Sequence, residues 1–240
     1  MIMEKCNILM LMAGEGQRFK NGGYDTPKPY IQYMGKQIFR WALSGFIASN
    51  YPIYFATRSD HAEFQPEWML NSPRVVSFNS LTKGPLETAL IAVKKLPFRD
   101  DEPLIITDCD IEFRCDYYFE ILDSISRICK KDHAAVLYNP IKTTENKWLF
   151  LVEADKGYIT DKDNIREKDS SCGGYPAVGV YYFSSVKYFK QVANWVKEFK
   201  TEGELYLSDA LRMVATDDGT VFTIPVDDFR SLGVPSDLEE

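Results

Sequence analysis

Ile8-Leu9-Met10-Leu11-Met12-Ala13-Gly14-Glu15-Gly16-Gln17-Arg18 and then, beyond the eight residues 19–26, Pro27-Lys28-Pro29 is the stretch from which the architecture is read. An apolar run over residues 6–12 with no polar alternation reads as a strand covered on both faces, the usual state of a parallel sheet. It breaks into a loop holding two glycines and an arginine. Gly14 and Gly16 give the backbone dihedrals closed to other residues and let its N–H groups approach an anion. Arg18 can fork onto two phosphate oxygens, and Lys28 adds a point charge whose approach the flanking prolines restrict. The pattern is a strand delivering a polyanion cradle. Two glycines alone would equally suit a tight turn, and neither the Gly-Lys-Ser/Thr phosphate loop nor the three-glycine dinucleotide fingerprint is present.

The 240 residues suit one α/β domain with a small additional lobe. Hydrophobic and charged contents of 45% and 26% are those of an ordinary globular chain, and no apolar run is long enough to span a bilayer. A cytoplasmic protein is expected. The cysteines at 6, 109, 115, 129 and 172 form no Cys-x-x-Cys pair and read as reduced thiols. A net charge of −7 argues against a broad nucleic-acid surface, which needs many neutralised phosphates, but not against a nucleotide, which needs one local positive cluster. No internal repeat or low-complexity segment occurs.

Working outward, apolar spacing predicts a helix over 37–49, a strand over 51–57, an imperfect helix over 60–70 broken by Pro66, and a strand over 74–78. This is the βαβ rhythm. Gly84-Pro85 opens an amphipathic helix, since proline at the first helical position loses no intrahelical bond. A buried strand over 103–107 ends in Asp108-Cys109-Asp110. Ligands of open α/β sheets lie beyond the carboxyl ends of strands, so both acids are candidates for Mg2+, which takes one or two carboxylates together with substrate phosphates; a turn cap is the plainer reading. A helix over 116–130 and a strand over 134–138 follow. Residues 148–152 and 158–160 read as a hairpin turning at Gly157. Residues 172–183 read as a flexible loop leading into a strand, with Gly179 inside the strand marking a close approach. Helices over 186–199 and 204–214 and a strand over 221–226 complete the chain.

The Gly14-x-Gly16-x-Arg18 and Pro27-Lys28-Pro29 pair, at this spacing, resembles the signature of the nucleotidyltransferases that include sugar-1-phosphate nucleotidylyltransferases and small cytidylyltransferases. The resemblance covers almost the whole chain, is strongest over 8–40 and 103–110, and is looser from 140 onward. It implies a Rossmann-like, GT-A-like α/β fold: a mostly parallel sheet flanked by helices, with a small β-containing acceptor lobe. Residues 1–140 would form the nucleotide-binding part and 141–240 the acceptor-binding part of a single domain. The implied reaction transfers a nucleotidyl group from a nucleoside triphosphate to a small phosphorylated metabolite with release of pyrophosphate, with Mg2+ as cofactor. Chain length and resemblance favour CTP and a role in cell-surface polysaccharide or capsule precursors. The acceptor implied is a sugar phosphate, with phosphoglutamine or phosphocholine as alternatives. No nucleic-acid or membrane partner is implied, and a homo-oligomer is allowed.

By the same resemblance Arg18, Lys28 and Asp110 would be catalytic. Met12, Ala13, Gly14, Glu15, Gly16 and Gln17, with Gly84, Glu87 and Thr88, would bind nucleotide. Glu167, Lys168, Gly179, Tyr181 and Glu204 would bind acceptor, although Asp169 stands where a proline often follows that Glu-Lys pair. Asp110, with Asp108, would hold the metal. Residues 231–238 resemble the family's Asp-Ile-Gly-Thr-Pro-Glu-Asp-Leu ending, but Ser231 stands where its second metal-binding aspartate is expected. Either Asp227 or Asp228 takes over that role, Asp228 being the candidate ligand, or Asp110 holds the metal with phosphates and water. Two other readings remain: a glycosyltransferase of the related fold, whose expected chain lacks the glycine loop and Pro-Lys, and a non-catalytic nucleotide-binding subunit, which the loss at Ser231 would suit.

Overall fold

The first strand sends side chains to both faces of one sheet, and the layering follows from that alternation. In the computed structural model, which describes residues 6–145, 147–168 and 173–239, β1 (Asn7–Leu11) is buried at every position. Asp169 and Cys172 lie outside the described residues. Two small strands, β2 (Gln32–Tyr33) and β3 (Lys36–Gln37), form a separate hairpin. The remaining strands are β4 (Ile53–Arg58), β5 (Val75–Phe78), β6 (Leu104–Asp108), β7 (Ile111–Arg114), β8 (Ala134–Tyr138), β9 (Leu149–Leu151), β10 (Tyr158–Ile159), β11 (Ile165–Glu167), β12 (Tyr175–Phe183), β13 (Val221–Pro225) and β14 (Asp228–Ser231). The helices are α1 (Gln17–Asn21), α2 (Ile38–Ser44), α3 (Glu67–Leu70), α4 (Pro85–Lys95), α5 (Tyr118–Ile128), α6 (Val186–Phe199) and α7 (Leu207–Thr216).

The main sheet runs β10-β13-β8-β12-β6-β1-β4-β5, with β9 and β11 continuing beside β12. β5, β4, β1 and β6 are mutually parallel, as are β8 and β13, while β12 runs antiparallel between β6 and β8. The expected mostly parallel, helix-flanked sheet is what forms. Leu9 and Leu11 pack with α4, α6 and α7 on one face; Ile8 and Met10 pack with α2 and α5 on the other. Each large apolar side chain so buried contributes roughly 1.5–3 kcal/mol.

Three expectations are corrected. Residues 148–152 and 158–160 do not pair with each other: β9 pairs with β11 and β12, and β10 joins β13. Gly157 does turn the chain, at φ 86°, but the apolar partners on offer elsewhere in the sheet decide the pairing. The helix over 37–49 ends at Ser44 and resumes only as a 3-10 turn, Ile47–Ser49; between them Gly45 packs so closely on Phe113 that a Cβ there would lie 2.4 Å from its ring. The segment 60–70 divides into a 3-10 turn, Ser59–Phe64, and the single turn α3, with Pro66 as the cap between them. The β7–β14 pair and the short helix α1 were not expected from the sequence.

Among the described residues, no helix is long and apolar enough to cross a membrane. Cys6 and Cys109 are buried free thiols, and Cys115 and Cys129 are half-buried ones.

His133, 2% exposed, stacks among Tyr182 and Phe222 and places its Nδ1 3.0 Å from the Lys131 carbonyl, while its Nε2 has no hydrogen-bond partner. Burial holds its pKa below the ordinary 6.5, against the opposing pull of the Lys131 carbonyl and Asp132. The unfolded chain therefore takes up this proton first as pH falls, and stability declines below about pH 6.5 with a limiting slope of about 1.4 kcal/mol per pH unit from this residue. Urea unfolding at pH 7.5 and 5.5 should show that loss, and His133→Phe should reduce it.

Candidate active site

The site begins with register. β1 and β6 are parallel neighbours with Leu11 opposite Asp108, so the glycine loop that follows β1 and the acids that end β6 leave the sheet side by side. Pro27 and Pro29 then frame a 3-10 turn, Lys28–Tyr30, that swings Lys28 across the gap. Its Nζ donates to Asp110 Oδ2 at 2.8 Å, with the two side chains 23% and 20% exposed. Burial alone would lower the Lys28 pKa; Asp110, with help from Asp108, outweighs it and keeps the ammonium charged. Gly16, at φ 68°, lets the loop pass against this lysine, since a Cβ there would lie 3.3 Å from the Lys28 Cβ.

Asp108 is pressed from two sides. Burial and the neighbouring Asp110 carboxylate push it above the usual carboxylate range, against the pull of Lys28. On the β12 side, a Cβ at Gly179 would lie 2.5 Å from Asp108 Oδ2. Gly179 has φ 77° and sits where the β12–β8 register shifts, so the glycine inside the strand marks a bulge that makes room for an acid.

Two cavities meet at Asp108 and Asp110. One, of about 450 Å³, is lined by residues 11–15, Lys28, Thr82, Gly84, Thr88 and Glu204. The other, of about 170 Å³, is lined by Arg18, Lys147, Trp148, Glu167, Gly179, Tyr181, Tyr206, Ser208 and Ser231 among others. Of the residues expected against nucleotide, Met12, Ala13, Gly14, Glu15, Gly84 and Thr88 line the first cavity, whereas Gly16 and Gln17 do not. Gly84, at φ 138°, is a glycine because a Cβ would lie 2.5 Å from the Leu205 carbonyl oxygen, and Leu86 N–H donates to that same oxygen. Glu87 is turned away. It accepts from Lys83 N at 2.7 Å and pairs with Lys197 Nζ at 2.7 Å, contacts that hold its carboxyl below the usual range, and it closes the start of α4.

Of the residues expected against acceptor, Glu167, Gly179 and Tyr181 line the second cavity, and Glu204 lines the first. Ser208 donates to Glu167 at 2.6 Å, while burial raises that carboxyl's pKa. Lys168 lines neither cavity; it lies over the Tyr206 ring at 4.6 Å and donates to its hydroxyl at 3.2 Å. Arg18, expected at the triphosphate tail, lines the second cavity and has no side-chain partner among the described residues. Lys147, which sequence reasoning missed, lines the second cavity too. Its only signal was charge in a loop.

The proposed transfer of the second metal ligand to Asp228 finds no geometric support. β14 pairs with β7, with Asp228 opposite Arg114 and Ser231 opposite Ile111, which leaves Asp228 exposed and roughly 10 Å along the strand from the acids. Asp227 is committed to the Asp116 N–H at 3.0 Å. Ser231 is the residue beside Asp110, and its hydroxyl donates to Asp237 at 2.7 Å. Among the described residues no group of three or more His, Cys, Asp or Glu could hold a metal. Two carboxylates on the wall shared by both cavities, one raised by burial beside the other, nevertheless fit Mg2+ whose shell is completed by substrate oxygens.

Solved structures of similar fold include several nucleotidyltransferases. The chain superposes on a nucleoside-diphosphate-sugar pyrophosphorylase from Vibrio cholerae RC9 with TM-score 0.71 and 16% identity, covering 96% of this chain and 97% of that one. It superposes on the inositol-1-phosphate CTP transferase from T. maritima with TM-score 0.72 and 16% identity, covering 99% and 93%. This is the nucleotidyltransferase fold. A UDP-glucose pyrophosphorylase from Acinetobacter baumanii shares it at TM-score 0.71 and 14% identity, with 98% and 91% covered. No protein-family model matches the chain, and no curated protein matches its sequence. In a nucleotidyltransferase fold the meeting of two cavities at Asp108 and Asp110 makes the bulge at Gly179 a tight constraint on the site. Gly179→Ala adds a Cβ at a left-handed position and against Asp108, so a loss of roughly 1–3 kcal/mol in urea unfolding is expected, with displacement of the acid.

Proposed function

We propose that the chain is a nucleotidyltransferase that moves a nucleotidyl group from a nucleoside triphosphate to a small phosphorylated acceptor and releases pyrophosphate. The observation that carries this reading is the junction of two cavities at Asp108 and Asp110, with Lys28 on one side and Arg18 on the other. The larger cavity is the nucleotide side; residues 1–140 supply all of it except Glu204, and the part from 141 onward supplies most of the acceptor side.

An oxygen of the acceptor phosphate attacks the α-phosphorus in line, a new P–O bond forms, and the bond to the β-phosphate oxygen breaks with its electron pair leaving on pyrophosphate. The acceptor phosphate is already a nucleophile, so no covalent intermediate with the protein is needed. What the protein must do is align two mutually repelling anions. The glycine loop presents backbone N–H groups, Lys28 exchanges its contact with Asp110 for phosphate oxygens, and Arg18 forks onto the charge that grows between the two substrates. Mg2+ held by Asp110, with Asp108, would supply further neutralisation of phosphate charge.

A sugar phosphate is the acceptor this reading favours, and CTP the donor, in the service of cell-surface precursors in the cytoplasm. Tyr181 and Trp148 with the acids Glu167 and Asp108 form an aromatic and acidic wall, which also suits the cationic end of a phosphocholine-like acceptor. Ser231 in place of an acid supports the competing non-catalytic reading.

Lys28→Ala and Asp110→Ala should each lower turnover, measured by pyrophosphate release, by on the order of 10²-fold or more while the folded far-UV circular dichroism spectrum is retained; Lys28→Ala should also lower the melting temperature, because it leaves Asp108 and Asp110 uncompensated. Near-normal rates in both would refute the assignment, and no release by the wild-type chain with any donor and acceptor pair would favour the non-catalytic subunit. In a thermal-shift series of four nucleoside triphosphates with Mg2+, CTP should give the largest stabilisation; a shift with another base and none with CTP removes the preference.

A further inference from the structure

We infer that Lys147 is the acceptor-phosphate residue of this chain, the part that its resemblance to the family had assigned to Lys168. The inference deepens the nucleotidyltransferase reading and rests on it for the identity of the anion. Lys168 lies behind Tyr206, on its ring, and does not itself line the cavity, whereas Lys147, over the Trp148 ring at 5.0 Å, lines it together with Arg18 and Ser231.

The local charge balance explains why a lysine is placed there. Ser231 occupies the position of an expected acid, and its hydroxyl is spent on Asp237 Oδ2, which also accepts from Gly233 N at 2.9 Å and Val234 N at 3.1 Å. Asp237 is therefore fixed to the backbone. Its other oxygen lies 3.5 Å from Lys147 Nζ, and exposed Glu145 lies 3.3 Å from the same nitrogen. These are long contacts on a side chain 30% exposed, and an ammonium has three donors, so Nζ is anchored by Asp237 while keeping a hydrogen for a ligand. Ser231 adds no further carboxylate to the two that already face Lys147, so an anion entering from the cavity side meets the ammonium beside an uncharged hydroxyl.

Orthophosphate titrated calorimetrically into the wild-type chain, Lys147→Gln and Lys156→Gln tests this. Lys156→Gln removes the same charge from a surface residue paired with Glu153. Wild type and Lys156→Gln should bind alike, with Lys147→Gln weaker by on the order of tenfold or more at an unchanged melting temperature. Equal binding by Lys147→Gln, no binding by the wild type, or the same loss in Lys156→Gln overturns the inference. In turnover, Lys147→Gln should raise the acceptor KM about tenfold and leave the nucleotide KM unchanged, with Lys147→Arg restoring most of the loss; an equal rise in both KM values overturns it. A wild-type chain that binds orthophosphate through Lys147 but releases no pyrophosphate would retain this anion site and abandon the transferase reading.

Discussion

Because β1 and β6 pair in parallel with Leu11 opposite Asp108, the loop that follows one strand and the acids that close the other must emerge together. Everything chemical in the molecule depends on that register. A shift of one residue would turn every side chain of β6 to the opposite face, exchange Leu104 and Ile106 for Ile105 in the packing of α4, and carry the acids away from the glycine loop. The two-faced burial of the sheet is thus also what aims the site.

The Lys28–Asp110 contact shows how the chain tolerates concentrated charge in a protein with a net charge of −7. Two carboxylates at one strand end repel, and burial makes this worse for Asp108. A proline-framed lysine offsets that repulsion without filling either cavity. In the proposed reaction an incoming polyphosphate would compete for the same ammonium, exchanging one ion pair for another without burying a naked charge. Arg18 has no such partner among the described residues and faces the smaller cavity.

How much of this could be read from the sequence follows the range of the interactions involved. β1, the glycine loop, Lys28 and the Asp108–Asp110 strand end are local patterns, and each was legible as a strand or turn with its charge. Gly179 was legible as a close approach, and the neighbour it approaches within the protein is Asp108. What escaped was set by long-range pairing. The partner of residues 149–151 depends on strands 165–167 and 175–183, which compete successfully with the nearer 158–159. The displacement of Asp228 depends on β14 joining β7. Glu87 carried a family expectation, yet Lys83 N–H and Lys197 take both of its oxygens. Lys147 had no pattern of its own; only the fold brings it beside Ser231.

The antiparallel insertion of β12 between β6 and β8 has a consequence for the order in which the chain can be finished. During synthesis, the first 138 residues complete β6 and β8 while the strand that belongs between them is still absent. Three backbone edges, one on β6 and both on β8, stay unpaired until residues 175–183 and then 221–225 have been made. Closure of this half of the sheet is therefore deferred until most of the polypeptide exists.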